Sequence, residues 1–432
     1  MPAASRRRSS SPRAASSRLR SALVITGSEL VRGDRTDRNG PFLARELVRL
    51  GLEPASITIV GDDEHELEAA FAVGLEADIC VVSGGLGPTH DDRTVELVAR
   101  AAGLSLHVDE GLRTQIGGIS RAVAERLNRP YADFEAGVRK QATLPHGAVS
   151  LGLAGTAPGL VLRARNAVVI VLPGPPAELQ RLWPRALETD AVRSVLAGVE
   201  PPEHRVLRFY GASESEIARS LTEAGGEPPG VVATICARDF EIHVDLYGPA
   251  NGLANVFRDR LARHLFAEDE RGIEEVVLDL CRARGWTLAT AESCTGGMVA
   301  ARLTSVPGSS DVFLGSVVSY ANEVKERELG VPRDTLERYG AVSEETAAAM
   351  SAGVRERLGA DVAVSVTGIA GPGGGTADKP VGLVHLHAQT PEASHGIQFT
   401  YGQDRDSIRR RATVAALHLL RRLLTQNRDE RE

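Results

Sequence analysis

Short apolar strands that alternate with amphipathic helices constrain the fold of this chain more than any other feature of its sequence. The apolar run at residues 22–26 ends at Gly27, and a segment with apolar side chains at helical spacing follows at residues 41–50. Further strand-and-helix pairs follow before residue 103. This order predicts a parallel sheet covered by helices on both faces, with ligands bound beyond the carboxyl ends of the strands.

Composition excludes several classes of protein. With 432 residues, of which 42% are hydrophobic and 25% charged, the chain is typical of a globular protein of roughly two to four domains. No apolar run approaches the ~20 residues of a membrane span, so no membrane association is expected. A net charge of −7 and only 4% aromatic residues argue against nucleic-acid binding through basic patches and stacked rings. The four cysteines include no Cys-x-x-Cys pair, which predicts a cytoplasmic protein without a disulfide scaffold or zinc ribbon.

Changes in composition predict a tail and three folded regions. Residues 1–20 contain six Arg, six Ser and no acidic residue, and we interpret them as a disordered extension, with a transit peptide as the alternative. Residues 21–175 form the first α/β domain, which the run Pro-Gly-Pro-Pro at 173–176 ends. Residues 176–270 are predicted to be a small connecting α+β region. A second α/β domain, residues 271–432, follows an acidic linker.

A hydroxyl-rich turn lies between a strand and a helix of this last domain, at residues 292–297 (Glu-Ser-Cys-Thr-Gly-Gly). Backbone N–H groups at the start of a helix stabilise an anion or a developing oxyanion, and Ser293 at that point can act as a nucleophile. The same residues also suit an ordinary helix cap, so this turn alone leaves both interpretations open.

Two later segments extend this pattern. Tyr320 and Lys325 span the end of a strand and the start of a helix, and a desolvated lysine, or a lysine acting through the tyrosine, can activate a serine. A solvated helix lysine is the alternative. The glycine-rich residues 367–376 could let backbone amides approach a phosphate, although they lack the order of a P-loop and also suit a surface loop.

The motifs of this domain, taken together, are far more specific than any one of them. They are Ala-Glu-Ser-Cys-Thr-Gly-Gly (291–297), Val-Pro-Gly-Ser-Ser (306–310), Val-Val-Ser-Tyr-Ala-Asn (317–322), Gly-Ala-Val-Ser (340–343), Val-Thr-Gly-Ile-Ala-Gly-Pro-Gly-Gly-Gly (366–375), Lys-Pro-Val-Gly (379–382) and Asp-Arg-Asp-Ser-Ile-Arg (404–409). Residues 271–424 thereby resemble the CinA C-terminal domain, the nicotinamide mononucleotide deamidase family. The resemblance implies a serine amidohydrolase that forms nicotinate mononucleotide and ammonia without a cofactor.

The resemblance also implies roles for individual residues. Ser293 would be the nucleophile, Lys325 with Tyr320 would activate it, and Thr367 would orient the reacting group or the substrate. The residues implied to line the nucleotide site are Gly296, Gly297, Asn322, Gly368, Gly371, Gly373, Gly374 and Arg405. Cys294 is the rival nucleophile because thiols are intrinsically more nucleophilic, but the family pattern favours the serine.

The first domain carries a second set of motifs. They are Thr-Gly-Ser-Glu-Leu-Val-Arg-Gly (26–33), Asp-Arg-Asn (37–39), Val-Gly-Asp-Asp (60–63) and Ser-Gly-Gly-Leu-Gly-Pro-Thr-His-Asp-Asp (83–92). They resemble the other half of the CinA family, which has the fold of MoaB/Mog-like molybdopterin-binding domains. The resemblance implies an ADP-ribose pyrophosphatase that depends on a divalent metal ion. Its implied phosphate site is Gly84, Gly85, Gly87 and Thr89, and its predicted metal ligands are Asp62, Asp91 and Asp92.

Alternatives remain open for this first domain. The acidic pair Asp91 and Asp92 could cap the following helix instead of holding a metal ion. His90 is interpreted as a solvated loop residue, and a pterin-phosphate site without hydrolysis is the second interpretation of the whole domain. The middle region would match the family's KH-like domain. It has no Gly-x-x-Gly clamp and few basic residues, so we expect it to act in spacing and dimerisation and not in RNA binding.

These observations lead to two hypotheses for the function. The first is a bifunctional hydrolase that acts on nicotinamide mononucleotide and ADP-ribose, and the family resemblance implies that it is a homodimer. The alternative is a non-catalytic regulatory protein, linked to competence or DNA damage, that binds a nucleotide or a pterin. A nucleophile and a base favour catalysis, since a binding module needs neither. Because residues 271–432 contain all four catalytic candidates, we expect this fragment to fold and act alone.

Overall fold

Residues 19–402 and 404–425 are described by a computed structural model, in which the chain divides between Pro202 and Glu203 into two units. The tail predicted at residues 1–20 therefore lies almost entirely outside the described residues. Within the described ranges, no helix combines the length and the apolar character that a membrane span requires.

A six-stranded sheet forms the centre of the first unit, with the strand order β2-β1-β3-β8-β7-β6. Its strands, with those of a small two-stranded sheet, are β1 (Arg20–Thr26), β2 (Glu53–Val60), β3 (Ile79–Ser83), β4 (Leu106–Val108), β5 (Thr143–Pro145), β6 (Val149–Leu153), β7 (Pro158–Ala164) and β8 (Ala167–Leu172). The neighbours β2, β1, β3 and β8 are parallel, which confirms the predicted parallel sheet. Strands β7 and β6 extend it antiparallel, because a two-residue turn after Ala164 permits only a hairpin.

Helices cover both faces of this sheet. They are α1 (Ser28–Val31), α2 (Asn39–Arg49), α3 (Glu64–Gly74), α4 (Thr94–Ala102), α5 (Glu110–Arg126), α6 (Ala132–Gln141), α7 (Pro176–Leu187) and α8 (Asp190–Leu196). Because side chains alternate along a strand, Leu23 of β1 packs in one apolar cluster with Leu43 of α2, whereas Val24 packs in the other with Phe71 of α3. The continuous apolar strands are therefore buried on both sides, as the sequence predicts.

The first boundary differs from the predicted one at residue 175. Helix α7 presents Leu179, Leu182, Trp183 and Ala186 on one face, at the spacing of an amphipathic helix. These side chains, with Val192 of α8, are buried in the core of the first sheet. Residues 176–202 therefore belong to the first unit and not to the connecting region, because the apolar face of α7 has its partner there.

The middle region is a four-stranded antiparallel sheet with two helices on one face. Its strands are β9 (His204–Phe209), β10 (Val232–Arg238), β11 (Glu241–Tyr247) and β12 (Leu265–Ala267), in the order β10-β11-β9-β12, and its helices are α9 (Glu214–Glu223) and α10 (Asn251–Arg260). Phe209, Val244 and Phe257 are among the residues that form its apolar core. The predicted small α+β architecture is confirmed.

The last part of the second unit is a five-stranded sheet, in the order β14-β13-β15-β16-β17. Its elements are α11 (Ile273–Arg282), β13 (Leu288–Glu292), α12 (Met298–Thr304), β14 (Phe313–Val318), α13 (Asn322–Leu329), α14 (Arg333–Tyr339), α15 (Glu344–Leu358), β15 (Val362–Gly368), β16 (Leu383–Gln389), β17 (Ser394–Thr400) and α16 (Arg405–Thr425). Strands β14, β13 and β15 are parallel. Their carboxyl ends therefore meet at one edge, and residues 292–297, 319–325 and 367–376 all begin there.

Side chains of the middle region complete the core against helix α16. His418 of α16 is buried, and its Nε2 lies 2.7 Å from a carboxylate oxygen of Glu241 on β11. The Tyr210 ring stacks on the imidazole with 3.7 Å between centroids, and Phe266 packs edge-on against it. Burial lowers the pKa of His418 to about 4, so the neutral ring donates its N–H to Glu241. The expected independence of residues 271–432 is thus opposed by contacts that this fragment lacks.

We expect the fragment 271–432 to unfold about 10 °C below the fragment 203–432. Removing residues 203–270 takes away Phe266 and Glu241, so the His418 side chain loses its apolar cover and its hydrogen-bond acceptor. We expect the free energy of unfolding to fall by about 3 kcal/mol. For a domain of this size, 1 kcal/mol corresponds to about 2–4 °C. Thermal unfolding followed by circular dichroism measures the difference, and equal midpoints for the two fragments would contradict the structural role of these contacts.

Candidate active site

Ser293 lies directly after strand β13, at the carboxyl edge of the second unit's sheet. Its N–H donates to the Val366 carbonyl at 2.8 Å, which continues the pairing of β13 with β15 by one residue. The turn that follows contains Gly296 and Gly297 with φ of 61° and 96°, in the left-handed region where a side chain is strained. The chain can therefore reverse direction within four residues and begin helix α12.

Lys325 reaches Ser293 from helix α13. Its Nζ lies 3.1 Å from Ser293 Oγ, 2.7 Å from the Ser319 carbonyl and 3.4 Å from the Tyr320 carbonyl. Only 1% of its surface is exposed. The alternative of a solvated helix lysine is therefore wrong, and the serine and lysine form a direct pair.

Burial lowers the pKa of Lys325 from 10.5 to about 8. The cause is desolvation, because an ammonium loses its hydration inside the protein and gains only neutral hydrogen-bond acceptors there. A lysine with a pKa near the physiological range is neutral often enough to accept a proton. This pair has the geometry and the basicity that a serine nucleophile and its general base require.

The side chain of Tyr320 points to a different partner from the one that the sequence predicts. The residue is 61% exposed, and its phenol oxygen accepts a hydrogen bond from Arg405 at 2.9 Å. A second N–H of Arg405 donates to the Gly371 carbonyl at 2.6 Å. Tyr320 thus contacts the lysine through its main-chain carbonyl, whereas its phenol joins Arg405 and the glycine-rich loop at the rim of the site.

The remaining predicted residues lie around the same strand ends. Thr367 is buried beside Val366, and its hydroxyl donates to the Ala341 carbonyl at 2.7 Å, so its proton is already in use. Asn322 is exposed one helical turn before Lys325.

In the glycine-rich loop, Gly371 and Gly374 have φ of 78° and 84°, and a side chain at Gly368 would lie 2.8 Å from the Leu383 carbonyl. Gly373, which is exposed, lies in the same loop.

Three of the backbone N–H groups at the start of α12 are not free for an oxyanion. The carboxylate of Glu292 accepts hydrogen bonds from the N–H groups of Gly297, Val299 and Ala300 at 2.9–3.1 Å. Arg409 holds the turn from the opposite side, through the carbonyls of Cys294 and Thr295. The predicted anion site at this helix start is therefore filled by the protein's own carboxylate.

The rival nucleophile Cys294 lies in a different environment from Ser293. It is 5% exposed, and burial raises the pKa of its thiol to about 12. Since the thiolate is the reactive form of cysteine, this residue is inert at neutral pH. The structure favours Ser293, in agreement with the family pattern.

Two contributors to the site, Glu292 and Arg409, have no role assigned by the sequence analysis, although both belong to the quoted motifs. The signal for Glu292 is an acid that ends an apolar strand just before a glycine turn and a helix. Such an acid is in position to cap the helix. Arg409 lies four residues after Arg405 on α16, so both guanidinium groups lie on one face of that helix.

The first unit's glycine turn follows β3. Gly84 and Gly85 have φ of 106° and 63°, and side chains there would collide with the hydroxyls of Thr26 and Thr94. Both hydroxyls are buried without a hydrogen-bond partner. Gly85 and Gly87 line a cavity of about 210 Å³, and a second cavity of about 720 Å³ lies beside Thr26. The turn therefore borders two cavities and lies over two buried hydroxyls that have no hydrogen-bond partner.

The predicted metal ligands are not brought together. Asp62 accepts hydrogen bonds from the N–H and the hydroxyl of Ser28, and Asp92 from the N–H and the hydroxyl of Thr89. Across residues 19–402 and 404–425, no three His, Cys, Asp or Glu side chains are placed to hold one metal ion.

The alternative role of the acidic pair, as a helix cap, also fails. Asp92 bonds Thr89 within the preceding turn, and helix α4 begins without a side-chain cap. The side chains of Asp91 and His90 are largely exposed and are not part of a metal or ligand site in this structure.

Comparisons with known proteins cover nearly the whole chain. The sequence profile described as "CinA C-terminal domain" matches residues 270–424, and the profile described as "Probable molybdopterin binding domain" matches residues 22–191. A CinA-like protein of Mycolicibacterium paratuberculosis is 43% identical over 94% of this chain and 98% of its own length. The CinA-like protein of Mycobacterium tuberculosis is 42% identical over 94% of this chain and 97% of its own length.

A solved structure, the competence/damage inducible protein CihA from Agrobacterium tumefaciens, is 42% identical and covers 37% of this chain and 100% of its own, with a TM-score of 0.35. The two profiles match the two α/β parts in which the Ser293–Lys325 pair and the Gly84–Gly85 turn lie. The full-length identity to the mycobacterial proteins extends across both parts and the region between them. On these grounds, the chain belongs to the CinA-like protein family.

Proposed function

We propose that the second unit is a serine amidohydrolase that converts nicotinamide mononucleotide to nicotinate mononucleotide and ammonia. The observation that carries the proposal is the 3.1 Å contact between Ser293 Oγ and the buried Nζ of Lys325. A buried lysine beside a serine at a strand end supplies a base and a nucleophile together. The identity of the substrate comes from the resemblance of this domain to its family.

The first half of the reaction forms an acyl-enzyme. Neutral Lys325 accepts the proton of Ser293 Oγ while the oxygen attacks the carboxamide carbon of the substrate, and a tetrahedral intermediate forms. Lys325 then returns the proton to the amide nitrogen as the C–N bond breaks, and ammonia leaves. Water attacks the acyl carbon in the second half, Lys325 accepts its proton, and Ser293 is released with that proton.

The rim of the site suits an anionic substrate. Arg405 bonds both the phenol of Tyr320 and the Gly371 carbonyl, so its charge lies where the exposed tyrosine and the glycine-rich loop meet. A guanidinium with neutral partners retains its charge for a phosphate, which it can bind through two parallel hydrogen bonds. We propose that Arg405, Asn322 and the loop at residues 368–374 hold the mononucleotide.

Purified protein should release ammonia from nicotinamide mononucleotide, and the chelator EDTA should leave the rate unchanged. The reason is that Ser293 and Lys325 supply both the nucleophile and the base, so the reaction needs no metal-bound water. A coupled assay for ammonia measures the rate, with dialysed enzyme and added Mg²⁺ as the control. A rate that EDTA abolishes and Mg²⁺ restores would contradict this mechanism.

For the first unit we propose binding of a phosphorylated nucleotide or pterin at the Gly84–Gly85 turn. The unpartnered hydroxyls of Thr26 and Thr94 and the adjoining cavities support a ligand there. The carboxylates Asp62 and Asp92 are bonded to Ser28 and Thr89, so no hydrolytic step through a metal ion is derived from them. ADP-ribose hydrolysis remains the activity that the family resemblance implies.

A further inference from the structure

The last residue of strand β13, Glu292, carries a charge that the proposed reaction does not use. It is fully buried, which costs several kcal/mol for a carboxylate unless its oxygens are hydrogen-bonded. Here one oxygen accepts the N–H groups of Gly297 and Val299 at 2.9 and 3.1 Å, and the other accepts that of Ala300 at 2.9 Å. The Ser316 hydroxyl adds a longer contact of 3.4 Å from strand β14.

These bonds join the two ends of the turn that contains the nucleophile. Ser293 is the next residue after Glu292, and the residues bonded by the carboxylate begin four residues further along. Both ends of the turn are therefore fixed to each other through one side chain. The main chain adds two bonds, because the Glu292 carbonyl accepts the Ser319 N–H at 2.8 Å and the Ser293 N–H is held by Val366.

The main chain of Glu292 connects the nucleophile to its base. Ser319, whose N–H is bonded to the Glu292 carbonyl, offers its own carbonyl to Lys325 Nζ at 2.7 Å. The carboxylate holds this stretch of main chain in place through its bonds to the start of α12. A shift of the Glu292 backbone would therefore move the Ser293 turn and also the carbonyl that orients the lysine. A misplacement of about 1 Å at a reacting group can cost about 100-fold in rate.

We propose that Glu292 is a positioning residue, which fixes Ser293 relative to Lys325 by binding the first N–H groups of helix α12. This inference rests on the proposed function only for its substrate, since the geometry of the serine turn does not depend on which amide is cleaved. The role requires the reach of a glutamate side chain as well as its charge. It also requires an acceptor-only group, because its three backbone partners are all N–H donors.

The test is the full-length variant Glu292→Gln, in which the amide NH₂ faces an N–H donor and loses that hydrogen bond. We expect kcat for ammonia release to fall about 100-fold with KM within about threefold, because Arg405 and the glycine-rich loop are untouched. Glu292→Asp keeps the charge but is one methylene shorter, and its kcat should also fall, by about tenfold or more. Full activity of Glu292→Asp would assign the effect to charge and overturn the positioning role.

Glu241→Gln is the matched control, because it removes another buried carboxylate of the same unit that bonds His418 instead of the serine turn. It should lower the unfolding temperature while kcat at 25 °C stays within about threefold. Loss of kcat in both variants in proportion to their unfolding temperatures would show a purely structural effect and overturn the proposal. A kcat of Glu292→Gln within about threefold of the wild type would also overturn it.

A second readout separates this proposal from the proposed substrate. A fluorophosphonate probe labels an activated serine when Oγ bonds to phosphorus, fluoride leaves and the base takes the proton. Labelling of Ser293, located by mass spectrometry, should slow about 100-fold in Glu292→Gln even if the wild-type protein releases no ammonia from nicotinamide mononucleotide. No ammonia release with slowed labelling refutes only the substrate, whereas unchanged labelling refutes the role of Glu292.

Discussion

Replacing Ser293 with alanine is expected to reduce ammonia release from nicotinamide mononucleotide by at least about 1,000-fold. The variant removes the oxygen that attacks the carboxamide, and no other nucleophile in the turn is activated. Binding of the mononucleotide should remain within about threefold, because Arg405 and the glycine-rich loop are unchanged. Steady-state ammonia assays and isothermal titration calorimetry measure the two quantities.

Cys294→Ala is the control for this prediction. Its thiol is buried, with a pKa raised to about 12, so its removal should change turnover by about threefold or less. If Cys294→Ala lost activity and Ser293→Ala retained it, the serine mechanism would be wrong and the thiol would be the nucleophile.

Replacing Lys325 with methionine is expected to reduce turnover by about 1,000-fold, because Ser293 then lacks its base. Lys325→Arg should be equally inactive, since a guanidinium remains charged at every accessible pH. In the wild type, kcat/KM should rise with pH and level off above a midpoint near 8, the pKa to which burial lowers this lysine. Below the midpoint, the rate should fall about tenfold for each pH unit, in proportion to the neutral fraction of the lysine.

The same pKa shift predicts how Lys325 affects the free energy of unfolding, and therefore how stable the Lys325→Met variant should be. Between the folded pKa of about 8 and the ordinary value of 10.5, the unfolded chain binds a proton that the folded chain has released, so folding stability rises with pH in this window. At neutral pH, the charged lysine therefore costs about 3 kcal/mol relative to an unburied one. We expect Lys325→Met to unfold at no lower a temperature than the wild type at pH 7. A large drop in its unfolding temperature would attribute the lost activity to misfolding.

The fold follows from the sequence as far as local patterns determine it. Apolar strands ended by glycine turns predict both α/β sheets, because such strands are stable only when helices cover their two faces. The pattern does not determine where a helix such as α7 packs. Its amphipathic face predicts that it needs an apolar partner, but either the first sheet or the middle region could supply one.

The candidate site divides in the same way. The sequence places Ser293 and Thr367 at strand ends and Lys325 on the helix that follows another strand, and it identifies the family through motifs around them. Tertiary structure alone determines that Lys325 is buried, that the Tyr320 phenol bonds Arg405 and that Glu292 occupies the N–H groups predicted for an anion. It also determines that Asp62 and Asp92 have separate partners.

The physical reason is the range over which each property is set. Strand and helix formation depend on side chains within a few residues of each other, so a linear pattern contains that information. The pKa of Lys325 depends on the exclusion of water by several chain segments, and the direction of Tyr320 depends on Arg405, 85 residues away in sequence. The sequence by itself therefore determined the strands, the turns and the residues available for chemistry. Only the packed structure decided which of those residues are shielded from water, which have hydrogen-bond partners and which are able to react.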